Sequence, residues 1–391
     1  MQPLHILHIF RSPVGGLFRH VLDVAQGQIA RGHKVGMVVS NLTGGEDASR
    51  RLAALAPQLA LGLTRIPMRR LPHPSDLAVV RHLMQRTRQT KANVIHGHGA
   101  KGGAYVRLVP APAGIIRALT PHGGSLHFGP ETLSGRVYLA FERLLMRRRT
   151  LYLFESAYAA DTFRKKIGEP RGSLRVIHNG VGAPEFDPVL LESDATDLVF
   201  LGELRHLKGV DVLLAALSQL HRSGRTATLS VIGDGPLVYD LRARASELEL
   251  AQAVRFLPPM PARLALAKGQ MMVVPSRSES LPYVVLEAAA AARPLVATRV
   301  GGIPEIFGPQ SVSLVPPGDS VALAEAIRQA LDDPHTAGIN AERLQERIAS
   351  DFSVDAMVAG IIAAYQQELQ QLVISGVTDR AGHDAVGSAV R

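Results

Sequence analysis

Two glutamates eight positions apart, Glu279 and Glu287, stand in the stretch 275–305. Glu279 follows a short apolar run, 271–274, and a Pro-Ser turn, whereas Glu287 lies early in an alanine-rich segment that predicts a helix. A carboxylate in a strand-to-helix loop can accept hydrogen bonds from sugar hydroxyls, and the free N–H groups at the helix N-terminus can bind phosphate. The pattern favours a ligand with both a sugar and a phosphate part, although either glutamate alone is more typical of an ordinary surface carboxylate.

Three further loops combine glycines with cations or turn residues, and each follows a predicted strand. They are Gly15-Gly16 after strand 4–10, the segment Gly202 to Gly209 with Arg205 and Lys208 after strand 198–201, and Gly233-Asp234-Gly235-Pro236 after strand 229–232. Adjacent glycines let backbone N–H groups approach a phosphate closely, although for Gly15-Gly16 alone a tight turn is the simpler interpretation. Two cations on one loop can neutralise a diphosphate without a metal; solvated surface cations are the alternative.

Taken in order, these motifs resemble the donor site of the retaining family 4 glycosyltransferases, which have the GT-B fold. The family hallmark is a glutamate, seven residues and a second glutamate, as at Glu279 and Glu287. The loop with Arg205 and Lys208 is similar to the family's diphosphate loop, and Thr120-Pro121-His122-Gly123 falls where the family has a His-Gly pair. The resemblance covers about residues 4–370, and five motifs in register make it specific.

The resemblance implies a role for each matched residue. Arg205 and Lys208 stabilise the departing diphosphate, Glu279 orients the sugar ring, Glu287 binds the ribose hydroxyls, and His122 contacts the transferred sugar unless it is a structural histidine. The expected catalytic set is Glu279, Arg205, Lys208 and His122, and the expected donor-binding set is Gly15, Gly16, Gly233, Ser280, Leu281 and Glu287. No side chain is assigned as general base, because in this family the leaving phosphate is proposed to take the acceptor proton.

The sequence departs from the family at two places. Glu203 stands where arginine is common, and Ser280-Leu281-Pro282 replaces the usual Gly-Phe-Gly. Pro282 has no N–H to donate, so ligand contacts there must come from its neighbours. His96-Gly97-His98 follows a strand, but two histidines at i and i+2 without a carboxylate are a weak ligand set, and we favour a role in cleft shape or acceptor binding. No metal and no cofactor besides the nucleotide-sugar donor is expected.

Strand and helix signals alternate in two series, before and after about residue 190. Alternation of this kind predicts an α/β fold with parallel sheets, here two Rossmann-like domains of the GT-B type whose sheets face a central cleft. The expected domains are an acceptor-side domain at 1–185, a nucleotide-sugar-binding domain at 186–354, a helix at 355–372 that returns to the first domain, and a disordered tail at 373–391. The segment 180–197 is the expected linker.

Charge is distributed unevenly along the chain. Residues 1–187 contain 26 lysines and arginines against 11 acidic residues, a net +15, and the remainder has 17 against 23, a net −6. A basic half favours an acidic partner, and an anionic membrane surface is one candidate; Arg147 to Arg149 follow an amphipathic segment, 137–146. Improved solubility is the alternative. Nucleic acid is disfavoured, because tryptophan is absent and no nucleic-acid-binding motif is visible.

The absence of cysteine excludes a disulfide framework and weakly favours the cytoplasm. Neither a secretory signal nor an apolar run of about 20 residues is evident, so any membrane attachment is expected to be peripheral, at the inner face of the cytoplasmic membrane.

The expected function is transfer of a hexose from a nucleotide-diphosphate sugar to a hydroxyl, with retention. The expected acceptor is a saccharide or lipid-linked saccharide, in cell-surface polysaccharide, lipopolysaccharide or glycolipid synthesis. A sugar-nucleotide epimerase of the GT-B fold and a non-catalytic nucleotide-sugar-binding protein are the alternatives.

Overall fold

The structure is a computed structural model of the 391-residue chain, and it describes residues 2–110, 114–124 and 131–387. The chain forms two compact units. Unit 1 comprises Met1–His178 together with Met357–Arg391, and unit 2 comprises Asn179–Ala356. Each unit contains a parallel sheet, which confirms the predicted α/β class.

Unit 1 has seven parallel strands among its described residues, in the order β3-β2-β1-β4-β5-β6-β7. The strands are β1 His5–Phe10, β2 Lys34–Ser40, β3 Leu63–Ile66, β4 Val94–His98, β5 Ile116–Thr120, β6 Leu151–Phe154 and β7 Leu174–Val176. The helices that connect them are α1 Gly15–Ala30, α2 Gly45–Leu55, α3 Asp76–Gln89, α4 Gly99–Leu108, α5 Leu133–Leu145 and α6 Ala157–Lys166. Helices cover the sheet, so central strands such as β1 are buried along nearly their whole length.

Unit 2 has five parallel strands in the order β10-β9-β8-β11-β12. The strands are β8 Thr196–Leu201, β9 Leu229–Ile232, β10 Val254–Leu257, β11 Gly269–Val274 and β12 Leu295–Ala297. The helices are α7 Val210–Arg222, α8 Val238–Glu247, α9 Ala262–Leu266, α10 Tyr283–Ala290, α11 Ile303–Phe307, α12 Ser320–Asp332 and α13 Pro334–Asp351. Successive residues of a strand point to opposite faces of the sheet, and they belong to two different buried apolar clusters: Leu198 and Phe200 to one and Val199 to the other.

The segment 180–197, expected to be a linker, packs within unit 2. Val181 forms a parallel bridge with Ser353, and its side chain belongs to a buried apolar cluster of the unit. Arg263 donates to the carbonyl oxygens of Pro184 at 2.7 Å and Asp187 at 3.1 Å. These contacts satisfy backbone acceptors that an extended linker would leave to water.

The final helix, α14, has the bounds Val354–Gly387, and unit 1 includes it from Met357 onward. The Tyr365 hydroxyl is hydrogen-bonded to His96 Nδ1 at 2.7 Å, and Glu368 accepts from Arg149 at 2.9 Å. Residues 388–391 of the tail predicted to be disordered lie outside the described residues. None of the helices in the described ranges combines the length and the apolar character that crossing a bilayer requires.

Candidate functional site

The predicted donor loops of unit 2 all lie at one edge of its sheet. The loops follow β8, β9 and β11, which are adjacent and parallel, so their carboxyl ends are at the same edge. The chain runs outward from β8 to β9 and β10 on one side, and then continues with β11 and β12 on the other. The order therefore reverses between β8 and β11, and in open parallel sheets ligands bind beyond the strand ends at such a reversal.

Lys208 and Glu279 meet at this reversal. Lys208 Nζ lies 2.6 Å from Glu279 Oε1, and the Ser276 hydroxyl donates to the same oxygen at 2.7 Å. The Glu279 side chain is 9% exposed and that of Lys208 18%, so a charged pair is held in a largely water-excluded position. Within the part of the chain that the structure describes, both contacts end on Oε1, which leaves Oε2 available for a ligand hydroxyl.

Arg205, the second predicted cation, has a more open environment. Its Nε lies 3.2 Å from Glu203 Oε2, with side-chain exposures of 42% and 56%. Glu203, the residue that departs from the family pattern, is thus the ion-pair partner of Arg205. An exposed pair of this kind is weak and easily exchanged for another anion.

Arg277 and Asp211 join the two loops, and sequence reasoning missed both. Arg277 donates to both carboxylate oxygens of Asp211, at 2.7 and 2.6 Å, and to the carbonyl of His206 at 2.8 Å. Burial acts to raise the pKa of Asp211, but the hydrogen bonds and charge of Arg277 prevail and hold it below its ordinary range. The bidentate pair fixes the loop of Lys208 against the loop of Glu279. The local sequence signal for this pair was the position of Asp211 in the first turn of α7, which is common for an acidic residue and does not identify its partner.

Two glycines permit the close approach of these loops. Gly209 has φ +68°, and a Cβ there would lie 2.0 Å from the Pro275 carbonyl oxygen. Gly233 has φ +148°, and a Cβ there would lie 1.9 Å from the carbonyl oxygen of Gly202. Any side chain at either position would force backbone atoms apart, so the predicted Gly233 has at least a structural reason to be glycine.

The other predicted donor residues of unit 2 lie around the start of α10. Ser280 is half-buried and its carbonyl accepts from Gly302 N at 2.6 Å, while Glu287 is half-buried one turn into the helix. The Leu281 side chain is buried in the apolar core, and its carbonyl accepts from Asn179 at 3.0 Å. Leu281 therefore offers a ligand only its backbone, and Pro282 stands at the N-cap of the helix.

In unit 1 the predicted residues lie near the reversal between β1 and β4. Gly15 and Gly16 form the first turn of α1, directly after β1. His122 follows β5 and has φ +50°, a left-handed conformation that is uncommon for a residue other than glycine. His98 Nδ1 lies 3.2 Å from His122 Nε2, and the ring centroids of His20 and His122 are 4.7 Å apart.

His122 and His98 are part of a larger buried histidine network. His98 Nε2 lies 2.9 Å from His8 Nδ1, and His8 Nε2 lies 2.9 Å from the Gln28 side-chain oxygen. Burial lowers the pKa of His8 to about 4, with the Gln28 hydrogen bond opposing it. Burial, followed by the proximity of the other histidines, also holds the pKa values of His96, His98 and His122 well below the ordinary range. These imidazoles are therefore neutral near pH 7.

Comparison with known proteins identifies the family. The family described as Glycosyl transferases group 1 matches residues 195–333, and Glycosyltransferase Family 4 matches residues 14–183. Glycogen synthase of Mycobacterium tuberculosis is 28% identical over 382 residues, covering 90% of this chain and 91% of the relative. D-inositol 3-phosphate glycosyltransferase of Acidothermus cellulolyticus is 30% identical over 308 residues, covering 71% of this chain and 68% of the relative.

Solved structures support the fold. HepE from Anabaena, described in complex with UDP and glucose, has a TM-score of 0.76 at 19% identity, covering 93% of this chain and 99% of its own. The two parallel sheets and the match over nearly the whole chain confirm the predicted GT-B fold. The protein is a member of the group 1, family 4 glycosyltransferases, as its motifs predicted.

Proposed function

We propose that this glycosyltransferase moves a hexose from a nucleotide-diphosphate sugar to a hydroxyl acceptor and retains the anomeric configuration. The observation that carries the proposal is the Lys208–Glu279 pair, 2.6 Å apart at the strand reversal of unit 2. A cation and a carboxylate in one water-poor position match a donor that has a diphosphate beside a polyhydroxylated ring. Unit 2 is proposed to bind the donor and unit 1 the acceptor.

The proposed roles follow from the chemistry of each group. Lys208 and Arg205 stabilise the charge that grows on the diphosphate, and Lys208 is the stronger contributor because its environment excludes more water. Glu279 accepts from sugar hydroxyls through Oε2 and Glu287 from the ribose. His122 contacts the transferred sugar. The leaving phosphate takes the acceptor proton, so no side-chain base is assigned.

The donor nucleotide is proposed to be UDP, because the similar HepE structure is described with UDP and glucose. Thermal-shift measurements with UDP-, GDP- and ADP-glucose test this. A ligand at 100 times its Kd stabilises the folded protein by about 2.7 kcal/mol, so the preferred donor raises Tm most. Chromatography of the products then separates transfer from the alternatives: an epimerase returns a changed nucleotide sugar, and a non-catalytic protein leaves the donor intact. Absence of any shift with all three donors contradicts the proposal.

Replacing Glu287 by alanine is expected to raise KM for the donor about tenfold with little change in kcat. A ribose contact exists equally in the ground and transition states, so its loss weakens binding rather than chemistry. Initial-rate kinetics over a range of donor concentrations measure both constants. Glu342→Ala, which removes an exposed carboxylate on α13, is a matched control that is expected to leave KM unchanged. A fall in kcat at unchanged KM contradicts the ribose role.

A peripheral membrane contact through α5 is proposed as well, for an acceptor carried on a lipid. Leu133, Val137, Phe141 and Leu144 are exposed along one face of α5, at 78%, 61%, 40% and 54%. The opposite face, with Leu139 and Leu145, is buried in unit 1. An exposed apolar stripe on a helix that is followed by basic residues is suited to an anionic lipid surface. The proposed surface is the inner face of the cytoplasmic membrane.

Changing Arg147 and Arg148 together to glutamine is expected to weaken binding to anionic vesicles. Each basic side chain near such a surface contributes roughly 1 kcal/mol, so the double change costs about 30-fold in partitioning. Arg149 is left intact, because its ion pair with Glu368 at 2.9 Å gives it a structural role. Co-sedimentation at low and high salt measures the effect.

The matched control for this experiment removes the same charge elsewhere, from the exposed Arg244 and Arg343 of unit 2. It is expected to leave sedimentation unchanged. Equal loss in both double variants indicates a general charge effect and contradicts docking through α5, and absence of sedimentation by the unaltered protein even at low salt contradicts membrane binding altogether.

A further inference from the structure

Three histidines from three separate elements of unit 1 bring one ring nitrogen each to a common point. They are His20 on α1, His98 at the end of β4 and His122 after β5, and their candidate ligand atoms lie within 4.8 Å of one another. The ring centroids are 4.7 Å apart for His20 and His122, 5.4 Å for His98 and His122, and 5.7 Å for His20 and His98. His20 and His98 are buried, whereas His122 is only partly so.

The spacing of these nitrogens is close to that of zinc ligands. Tetrahedral zinc with nitrogen ligands at 2.0–2.1 Å places neighbouring ligand atoms about 3.3 Å apart. His98 Nδ1 and His122 Nε2 are 3.2 Å apart. His20 completes the set after a small side-chain rotation, since its nitrogen lies within 4.8 Å of the other two. Three histidines leave a fourth position open, as in zinc sites that bind water or a ligand.

The hydrogen-bond chain behind His98 holds this ring in the tautomer that a metal needs. The Gln28 side-chain oxygen can only accept, so His8 Nε2 carries the proton and His8 Nδ1 accepts from His98 Nε2. His98 Nδ1 then has a lone pair, and it points to His122. Metal-binding histidines characteristically donate their other N–H to a partner that orients the ring, and His8 and Gln28 supply that support here.

We propose that His20, His98 and His122 form a binding site for a divalent transition metal, with zinc as the ion that the ligand set fits. Nitrogen-only ligands favour zinc, nickel or copper over magnesium or calcium, which prefer oxygen. In the metal-free protein His122 Nε2–H donates to His98 Nδ1. Metal binding requires the other neutral tautomer of His122, in which the ring proton is on Nδ1, so that His98 Nδ1 and His122 Nε2 both donate lone pairs to the metal with no net release of a proton.

The neighbouring triad of His8, His96 and His98 is the competing location, and its hydrogen bonds disfavour it. His96 Nδ1 lies 2.7 Å from the Tyr365 hydroxyl and His96 Nε2 lies 2.9 Å from the Thr120 hydroxyl, so both ring nitrogens are hydrogen-bonded. His8 likewise uses both ring nitrogens. A metal there must break these buried hydrogen bonds, whereas the proposed site leaves them in place and replaces the longer His98–His122 contact of 3.2 Å.

The metal occupies the His122 nitrogen that faces the other rings, so it removes this nitrogen from any other ligand. Zinc is therefore expected to inhibit transfer, a consequence that rests on the proposed sugar contact of His122. Zinc binding itself does not depend on the sugar contact of His122, and it can be measured with the metal alone, without donor or acceptor.

Isothermal titration of tag-free, EDTA-treated protein with zinc chloride tests the site. The expected result is one zinc per chain, with affinity lowered at least 100-fold in His20→Gln and in His122→Asn, since even outer-shell changes cost 10–100-fold. Asparagine is chosen for His122 because it tolerates a positive φ. Gln28→Leu is expected to lower affinity about 10–100-fold through its effect on His98.

His96→Asn separates the two triads and is expected to bind zinc as the unaltered protein does. His335→Asn, an exposed histidine on α13, is the control for surface binding and is likewise expected to bind normally. Circular dichroism and Tm establish folding of each variant, and the cobalt absorption spectrum gives an independent readout of tetrahedral coordination. Binding that survives both His20→Gln and His122→Asn, or that is lost in His96→Asn, overturns the proposal, as does the absence of stoichiometric binding.

Discussion

Glu279→Gln and Lys208→Ala are each expected to lower kcat/KM by about 10²–10³-fold, the usual effect of removing one preorganised charge-stabilising contact. The two side chains share a contact of 2.6 Å in a position that is largely closed to water, where electrostatic interactions are strong. Glutamine keeps the size of Glu279 and can still accept from Ser276, so that variant is expected to fold normally. Lys208→Ala leaves a buried carboxylate without its cation, which is expected to lower Tm.

Initial rates with the preferred donor measure these effects, and the double variant shows whether the residues act as a unit. Strong coupling predicts that the double change costs little more than either single change. Lys268→Ala is the matched control: Lys268 also pairs with a glutamate, Glu192, but it lies just before β11, at the amino end of the strand. It is expected to retain activity within about threefold. A folded Glu279 or Lys208 variant with near-normal turnover removes that residue from the mechanism.

Breaking the buried Arg107–Glu142 pair is expected to destabilise the protein by about 3–5 kcal/mol. Arg107 Nη1 lies 2.8 Å from Glu142 Oε2, with side-chain exposures of 0% and 6%, and Arg107 Nε donates to the Gly103 carbonyl at 2.9 Å. Burial acts to lower the pKa of Arg107, but Glu142 prevails and raises it, so the arginine stays charged. Glu142→Gln therefore leaves a buried cation without its anion.

Urea unfolding followed by circular dichroism measures the loss. The double variant Arg107→Met with Glu142→Leu is expected to recover most of the stability, because a well-packed apolar pair avoids the desolvation cost of the ions. Glu169→Gln is the control, since its pair with Arg164 is exposed, and no measurable change in Tm is expected. A Glu142→Gln variant as stable as the unaltered protein contradicts the energetic role of the pair.

Most of the fold was predictable because its signals are local. The runs at β8, β9 and β11 are apolar and are followed directly by glycine or proline, and helices such as α7 and α12 have a clear apolar face. The sequence analysis named no strand at β3, β5 or β7. These strands have three to five residues and include arginine, so neither alternation nor hydrophobicity distinguishes them.

The donor loops were predicted one by one, but their contacts were not. Lys208 and Glu279 are 71 positions apart, and only the sheet order that makes β8 and β11 neighbours brings them to 2.6 Å. Ser276 and the Arg277–Asp211 pair were missed for the same reason, because serine, arginine and aspartate in loops are common and carry no local signal of a partner.

The sequence alone determined the family, the strand-and-helix alternation, and which loops carry glycine, cation and carboxylate, because each depends on residues close together in the chain. It also placed His96 and His98 two positions apart directly after a strand, and the structure includes both in β4. Only the tertiary structure decided that His8, His20 and His122 join them, since these residues come from β1, α1 and the loop after β5. Spacing along a chain restricts distances only within an element. The distance between residues of different elements depends on strand order and side-chain packing. Sequences with the same local pattern can differ in both.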